Sequence, residues 1–253
     1  MLKTRVIPVL LYQQGRLVKS IRFKEHRNLG NPIQTVRIYN ARNVDELVIL
    51  DITKTPAGKE PEYKMIKEMA RECFMPLAVG GGVRSLSIAR KLFLSGADKI
   101  CLNSAAIENS GLIGKISRMF GSQSVIVSID AKKRNNHRYE VITRCGTLPT
   151  GLDSVEWAKE AERRGAGEIF LTSIDCEGAM QGFDLELIRN ISTAVTIPVI
   201  AHGGAGTPLD CVEAIGAGAS AIAAASIFHY THATPQVVKQ ELKAAGYPTR
   251  NKL

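Results

Sequence analysis

The residues able to do chemistry sit where short apolar runs end. Asp130 closes the run VIVSID. A carboxylate at the end of an apolar strand loses hydration and has its pKa raised, which suits a general acid or base. The run IPVIAH ends in His202 and meets Gly203 and Gly204, and VGGGV sets Gly81 and Gly82 after a similar run. Asn103 with Ser104, and Ala225 with Ser226, close two more. Glycine lets backbone N–H groups approach an anion, and a following helix start adds a favourable dipole. The two clusters therefore suit a long substrate with a phosphate at each end; the same glycines would equally serve tight turns. The loop IDCEG contributes Asp175, Glu177 and Gly178, and needs only one inward carboxylate. Lys19 and Asp51 are expected at the same mouth. His202 either shapes this pocket or transfers a proton.

A second group lies at the opposite ends of the runs. Arg5, Glu46, Lys99 and Glu168 precede apolar stretches, where a barrel interior ordinarily holds Val, Ile or Leu. Two cations and two anions there would either form a neutral ring of salt bridges or stand as solvated strand starts. A buried ring adds little stability over apolar replacements, so it would point to a task.

The elements that must position these residues follow from a repeat. Pro76 and Pro198, Gly82 and Gly204, Gly96 and Gly218, and Ser104 and Ser226 are each 122 positions apart, and DELVILDIT faces GEIFLTSID at the same shift. VIVSID repeats VIPVLL at a shift of 119, which sets Asp130 opposite Leu11. A unit this long is a half-domain rather than a solenoid repeat. Each copy alternates runs that are apolar on both faces with helical patterns, the grammar of a parallel sheet. Eight such units in a chain near ~250 residues predict a (β/α)8 barrel, one domain over 1–253 built from half-barrels of about 1–122 and 123–253. An open doubly wound sheet is the alternative, and it has no reason to repeat at half its length.

The spacing predicts strands over 5–11, 46–51, 99–103, 125–130, 168–173, 198–202 and 221–225, with another ending at Gly80. Helices are expected from Pro32, from Glu60 to about Cys73, from Ser85, from Asp153 or Ser154, and from Pro235. Tyr12 to Asn31 reads as a polar, glycine-bounded loop able to cover the mouth as a mobile lid. The segment 131–150 reads as a small β-hairpin around Asn135 and Asn136.

Composition narrows the class. Apolar residues make up 45% of the chain, enough for one substantial core, and no run nears the ~18 residues of a membrane span. The N-terminal MLKTRVIPVLL leads into a strand and lacks a small-residue cleavage site, so no signal peptide is expected. Five cysteines without paired spacing suit a reduced, cytoplasmic protein and no metal site. The net charge of +9 is scattered without basic runs interleaved with aromatics. It suits an anionic, phosphorylated small molecule or an acidic protein partner better than nucleic acid.

Taken in order, RVIPVLL, GRLVK, DELVILDIT, VGGGVRS, ADKICLNSAA, GSQSVIVSIDAKK, GAGEIFLTSID, GGAG and AAASIFH resemble, nearly end to end, the cyclase subunit of imidazole glycerol phosphate synthase (HisF). The resemblance implies a (β/α)8 barrel without a cofactor. It implies a HisH-like glutaminase on the amino-terminal face, ammonia passing through the bore, and a bisphosphorylated ribonucleotide at the mouth. By that resemblance Arg5, Glu46, Lys99 and Glu168 form the ammonia gate, Asp130 is the second catalytic aspartate, and the glycine clusters hold phosphates.

The departures are specific. Leu11 stands where the family pattern IPCLD has its first catalytic aspartate, Glu177 stands for an aspartate in IDRDG, and His202 for a serine in ASGGAG. Loss of a general acid or base typically costs ~10²–10⁴-fold in rate. An intact gate below altered chemistry resembles the diverged HisF-like proteins of surface-polysaccharide synthesis, which supply ammonia for acetamidino sugars, with a separate enzyme possible for the amidation itself. A working cyclase of histidine synthesis with Glu177 as a stand-in, and a binding protein without either duty, are the alternatives.

Overall fold

The computed structural model describes residues 3–42, 44–134 and 138–250. The strands are β1 (Arg5–Gln13), β2 (Arg16–Ile21), β3 (Lys24–Gly30), β4 (Leu47–Asp51), β5 (Leu77–Gly80), β6 (Lys99–Leu102), β7 (Val125–Lys133), β8 (Tyr139–Thr143), β9 (Leu148–Asp153), β10 (Glu168–Ser173), β11 (Val199–His202) and β12 (Ala221–Ala224). The helices are α1 (Pro32–Ala41), α2 (Tyr63–Arg71), α3 (Leu86–Leu94), α4 (Ser104–Glu108), α5 (Gly111–Phe120), α6 (Ser154–Arg163), α7 (Leu185–Ser192), α8 (Pro208–Gly216), α9 (Ser226–Tyr230) and α10 (Pro235–Ala244).

Parallel pairing runs β10, β11, β12, β1, β4, β5, β6, β7 and returns to β10, which closes an eight-stranded barrel ringed by helices. Closure removes every free strand edge from the barrel and separates two apolar layers. Alternate residues along each strand point to opposite faces. In β1, Ile7, Val9 and Leu11 therefore join the inner cluster, while Val6, Leu10 and Tyr12 join the outer one beneath the helices. The inner cluster continues through Ala78, Ile126, Phe170 and Ile200, so the bore above its floor is packed with side chains.

The helices start where their sequences supply caps. The Asn31 side chain accepts from the N–H groups of Ile33 and Gln34 ahead of Pro32, and Asp153 accepts from Val155 and Glu156. Thr207 and Asp210 form a reciprocal capping box at α8. Each such cap contributes about 1 kcal/mol. Helix α2 begins at Tyr63 rather than Glu60, after Pro61. Among the described residues, no helix is long and apolar enough to cross a membrane.

Two excursions leave the barrel mouth. The segment expected as a polar loop from Tyr12 to Asn31 is instead a β-hairpin: β1 continues to Gln13 and pairs antiparallel with β2, which pairs with β3. In the second, β7 runs on to Lys133 and pairs antiparallel with β8, and β8 with β9. The turn expected at Asn135 and Asn136 lies outside the described residues. The two excursions touch. A Cβ placed on Gly146, in the β8–β9 turn, would stand 2.5 Å from the Phe23 ring in the β2–β3 turn.

Candidate functional site

At the amino ends of the strands, four side chains form a closed ring. Arg5 Nη1 donates to Glu46 Oε2 at 2.6 Å and Arg5 Nη2 meets Glu168 Oε1 at 2.7 Å. Lys99 Nζ meets Glu46 Oε2 and Glu168 Oε2, each at 2.9 Å. These are not solvated strand starts: Glu46 is 2% exposed and Arg5, the most open, 19%. Burial pulls the Arg5 pKa down, but Glu168 and Glu46 outweigh it, so the guanidinium stays above its usual range. Among the described residues, Glu46 Oε1 is buried and meets no hydrogen-bond partner.

A second ion pair lies beside this floor. Lys239 Nζ on α10 meets Asp45 Oδ1 at 2.7 Å, and Asp45 Oδ2 accepts from the Val6 N–H at 2.9 Å. The last helix is thereby fastened to the residue preceding Glu46.

At the carboxyl ends of the strands, Asp130 points into the bore by the alternation of β7. Asn103 Nδ2 donates to Asp130 Oδ2 at 2.7 Å. Burial pushes the Asp130 carboxyl up to about 7, while hydrogen bonds from Asn103, Thr172 and Ser128 pull the other way and the Glu177 charge adds to the rise. A carboxyl balanced near neutrality can take up or release a proton at physiological pH. Leu11, 8% exposed, belongs to the apolar lining of the same mouth.

His202 is buried against Phe170, with ring centroids 5.0 Å apart, and its Nδ1 lies 3.1 Å from Thr172 Oγ1. Burial and the Lys19 charge bring its pKa down to about 3, so the ring is neutral. His202 lines a pocket together with Lys19, Glu177, Gly178, Gly203, Gly204, Ala225 and Ser226. The structure thus gathers the second glycine cluster around one cavity.

Within that cavity Lys19 and Glu177 are ion-paired, and both are buried. The loop after β10 divides its acids: Glu177 faces Lys19, whereas Asp175 Oδ2 accepts from the Lys133 N–H at 3.0 Å and shapes the loop. The hairpin is held to this loop by the backbone of Arg22, whose N–H donates to the Glu177 carbonyl at 2.8 Å.

The glycines have a backbone cause of their own. A Cβ on Gly204 would lie 2.0 Å from the Gly182 carbonyl oxygen, one on Gly81 2.1 Å from that of Asp51, and one on Gly178 2.4 Å from that of Ser20. Side chains are excluded at these three positions whatever the mouth binds. In the first cluster, Ser104 Oγ accepts from the Arg144 N–H at 3.0 Å, so the β8–β9 turn lies against it. Gly82 has φ +72° and its N–H donates to Thr55 Oγ1 at 3.0 Å.

Asp51 is turned differently from Asp130. Leu50 packs on the inner cluster, and Asp51 on the other side of the pleat lines a cleft with Tyr12, Glu62 and Met65 beneath α2. Its Oδ1 accepts from the Thr53 N–H at 2.9 Å and hydroxyl at 2.7 Å, while Lys54 bridges towards it from Glu62. Burial raises the Asp51 carboxyl above its usual value, against the pull of those bonds.

Thr172 was not singled out by the sequence, although its inward alternation with Phe170 on β10 was the available signal. Asp45 and Lys239 carried no such signal.

Comparison with known proteins gives one answer. A family model described as histidine biosynthesis protein matches residues 5–234. The chain is 46% identical over 250 residues to a Campylobacter jejuni protein named as a hisF2 subunit of imidazole glycerol phosphate synthase, covering 99% of each chain. It is 44% identical over 254 residues to the imidazole glycerol phosphate synthase subunit HisF of Thermobifida fusca, covering 98% of this chain and 99% of that one. To the HisF subunit of Gluconacetobacter diazotrophicus it is 43% identical over 251 residues, covering 99% and 97%.

Proposed function

The chain belongs to the histidine biosynthesis protein family, among its HisF-like members, and from that premise we propose that it is a cytoplasmic, ammonia-channelling synthase subunit. In this reading a HisH-like glutaminase docks on the amino-terminal face and releases ammonia beneath the ring of Arg5, Glu46, Lys99 and Glu168. The ammonia serves acetamidino-sugar formation for surface polysaccharide, with a separate amidating enzyme possible. The observation that carries the reading is a complete charge ring, its two glutamates buried and its two cations mostly so, below a mouth whose position 11 is leucine.

The physics favours ammonia as the cargo. Neutral NH3 enters an apolar lumen readily, whereas ammonium would have to shed its hydration without compensation. Because the lumen is packed rather than hollow, transit requires rotamer changes of the larger inner side chains such as Ile7 and Ile200, while Ala78 and Ala223 take up little of the bore. The ring opens when a partner pulls one cation away. Each cation touches both carboxylates, so moving one leaves the floor intact but ajar.

The amino-terminal face has the apolar contacts a partner needs. Phe74, Leu94 and Met119 are 81%, 77% and 55% exposed, at or just beyond the carboxyl ends of α2, α3 and α5. Helices of a parallel barrel run against the strands, so these ends surround the charge ring. At the mouth, Gly82, Asn103 and Ser104 on one side and Gly178, Gly203, Gly204, Ala225 and Ser226 on the other would hold the phosphates of a small molecule.

Purified protein given the bisphosphorylated ribonucleotide and ammonium salts should show negligible cyclisation, while the complex with its glutaminase should consume glutamine. Robust cyclisation would reject the proposal in favour of a second reading, a working cyclase of histidine synthesis. Asp130 supports that second reading, since its carboxyl near neutrality is what an acid–base step requires. Complementation of a histidine auxotroph distinguishes the two.

A further inference from the structure

Three inward residues on adjacent strands share one rung of the barrel. Thr172 on β10 is the register partner of Asp130 on β7 on one side and of His202 on β11 on the other. The Thr172 hydroxyl stands beside the Asp130 carboxyl on the paired strand, where it draws that carboxyl's pKa down, and its oxygen lies 3.1 Å from His202 Nδ1. A threonine hydroxyl has one hydrogen and can also accept. If that hydrogen serves the carboxylate, the imidazole must supply the other, which fixes the ring as the Nδ1–H tautomer.

We propose that His202 is a positioning residue, which donates from Nδ1 to the Thr172 hydroxyl so that this hydroxyl is held and polarised as a donor to the Asp130 carboxylate. The inference rests on the reading of Asp130 as the acid–base group of the mouth. Hydrogen bonds in series strengthen one another, so the imidazole makes Thr172 a better donor than it would be alone. The chain thereby favours the ionised carboxylate against the burial that opposes it. With Nδ1 engaged, Nε2 is an acceptor left for a ligand of the pocket formed with Lys19, Gly203 and Ser226. It suits an N–H or O–H group of the ligand rather than a phosphate oxygen.

The charged and titratable neighbours are few. Asp130 faces Glu177 from the loop after β10 and Cys145 from the β8–β9 turn; Asn103 on β6 and Ser128 on β7 are its uncharged donors. His202 faces the Lys19 ammonium from β2, which keeps the ring unprotonated, shares its pocket with Glu177, and packs on Phe170 of the adjacent strand β10.

Nuclear magnetic resonance of the full-length protein tests this without turnover. In ¹⁵N-imidazole spectra His202 should appear as the Nδ1–H tautomer across pH 5–8. With ¹³C-labelled aspartate, the Asp130 midpoint should rise by roughly half to one pH unit in Thr172→Val, by less in His202→Phe, and return in Thr172→Ser. An Nε2–H or protonated His202, or an Asp130 midpoint unmoved in Thr172→Val, would overturn the proposal. Should Thr172→Val not fold, the tautomer of the unaltered protein and the titration of His202→Phe decide it alone. These spectra report the resting barrel, so they fail or succeed independently of whether ammonia is delivered or a ring is closed.

Discussion

Lys19 and Glu177, 158 positions apart, meet as a buried ion pair that ties the first hairpin to the loop after β10. Lys19 Nζ also donates to the Ser20 carbonyl at 2.9 Å. Glu177 is thus committed to a cation, so as a stand-in for the missing acid at position 11 it would first have to give up Lys19. Removing one partner leaves an uncompensated buried charge, which typically costs about 3–5 kcal/mol. Glu177→Leu and Lys19→Met should each lower the urea-unfolding free energy by that order, and the double variant by much less than their sum. Additive losses would mean that the pair is not coupled.

Much of the barrel was legible because parallel strands buried on both faces leave a plain apolar signature, and the glycines and charges that interrupt it fall at strand ends. The β1–β2 turn carries its signal in Gly15, but the β2–β3 turn was not legible. Tight hairpin turns usually advertise themselves with Asn-Gly or Asp-Gly, yet here Arg22 and Phe23 take positive φ of 50° and 62° without a glycine. Asp45 and Lys239, 194 positions apart, could not be paired from sequence, because nothing local marks a lysine on an amphipathic helix as buried. Asp130 was readable as a buried acid. The Thr172 bond that tempers it was not, since a hydroxyl in a strand acquires meaning only from its register neighbours.

The Asp130 carboxyl titrates near 7 when folded and near 4 when unfolded, so the folded chain holds its proton more tightly. The stability contributed by the protonated group is complete below pH ~4 and is lost as pH rises through 7. Asp130→Asn, which cannot ionise, should therefore match the parent protein near pH 4. Above pH 7 it should be the more stable, by up to about 4 kcal/mol. Urea unfolding at several pH values measures the gap; a constant gap across that range would show that the carboxyl is not perturbed.

His202 slopes the other way. Its folded value of about 3 lies below the unfolded ~6.5, so the unfolded chain binds the proton more readily. The contribution is present above pH ~6.5 and falls away as the solution is acidified towards 3. Between pH 4 and 6.5 this rise with pH opposes the fall from Asp130, so His202→Gln should lose stability as pH rises across that window more steeply than the parent protein does. An unchanged profile there would assign the rise to other groups, with His229, held at about 4 by burial, the first to examine.

Phe74, Leu94 and Met119 put large apolar side chains in water at the end of the barrel that carries the charge ring, and Phe93 and Phe120 stack behind them with centroids 4.3 Å apart. Exposed side chains add little to the fold, so Phe74→Ser and Leu94→Ser should change the unfolding free energy by less than about 0.5 kcal/mol. At an interface the same truncations remove buried anchors, and a central aromatic is commonly worth 2 kcal/mol or more. Affinity for the glutaminase, measured by titration calorimetry, should therefore fall by about thirty-fold for Phe74→Ser, while the unfolding free energy of the isolated barrel is nearly unchanged. Full affinity in the double variant would move the docking surface elsewhere and with it the route by which ammonia reaches Arg5 and Lys99.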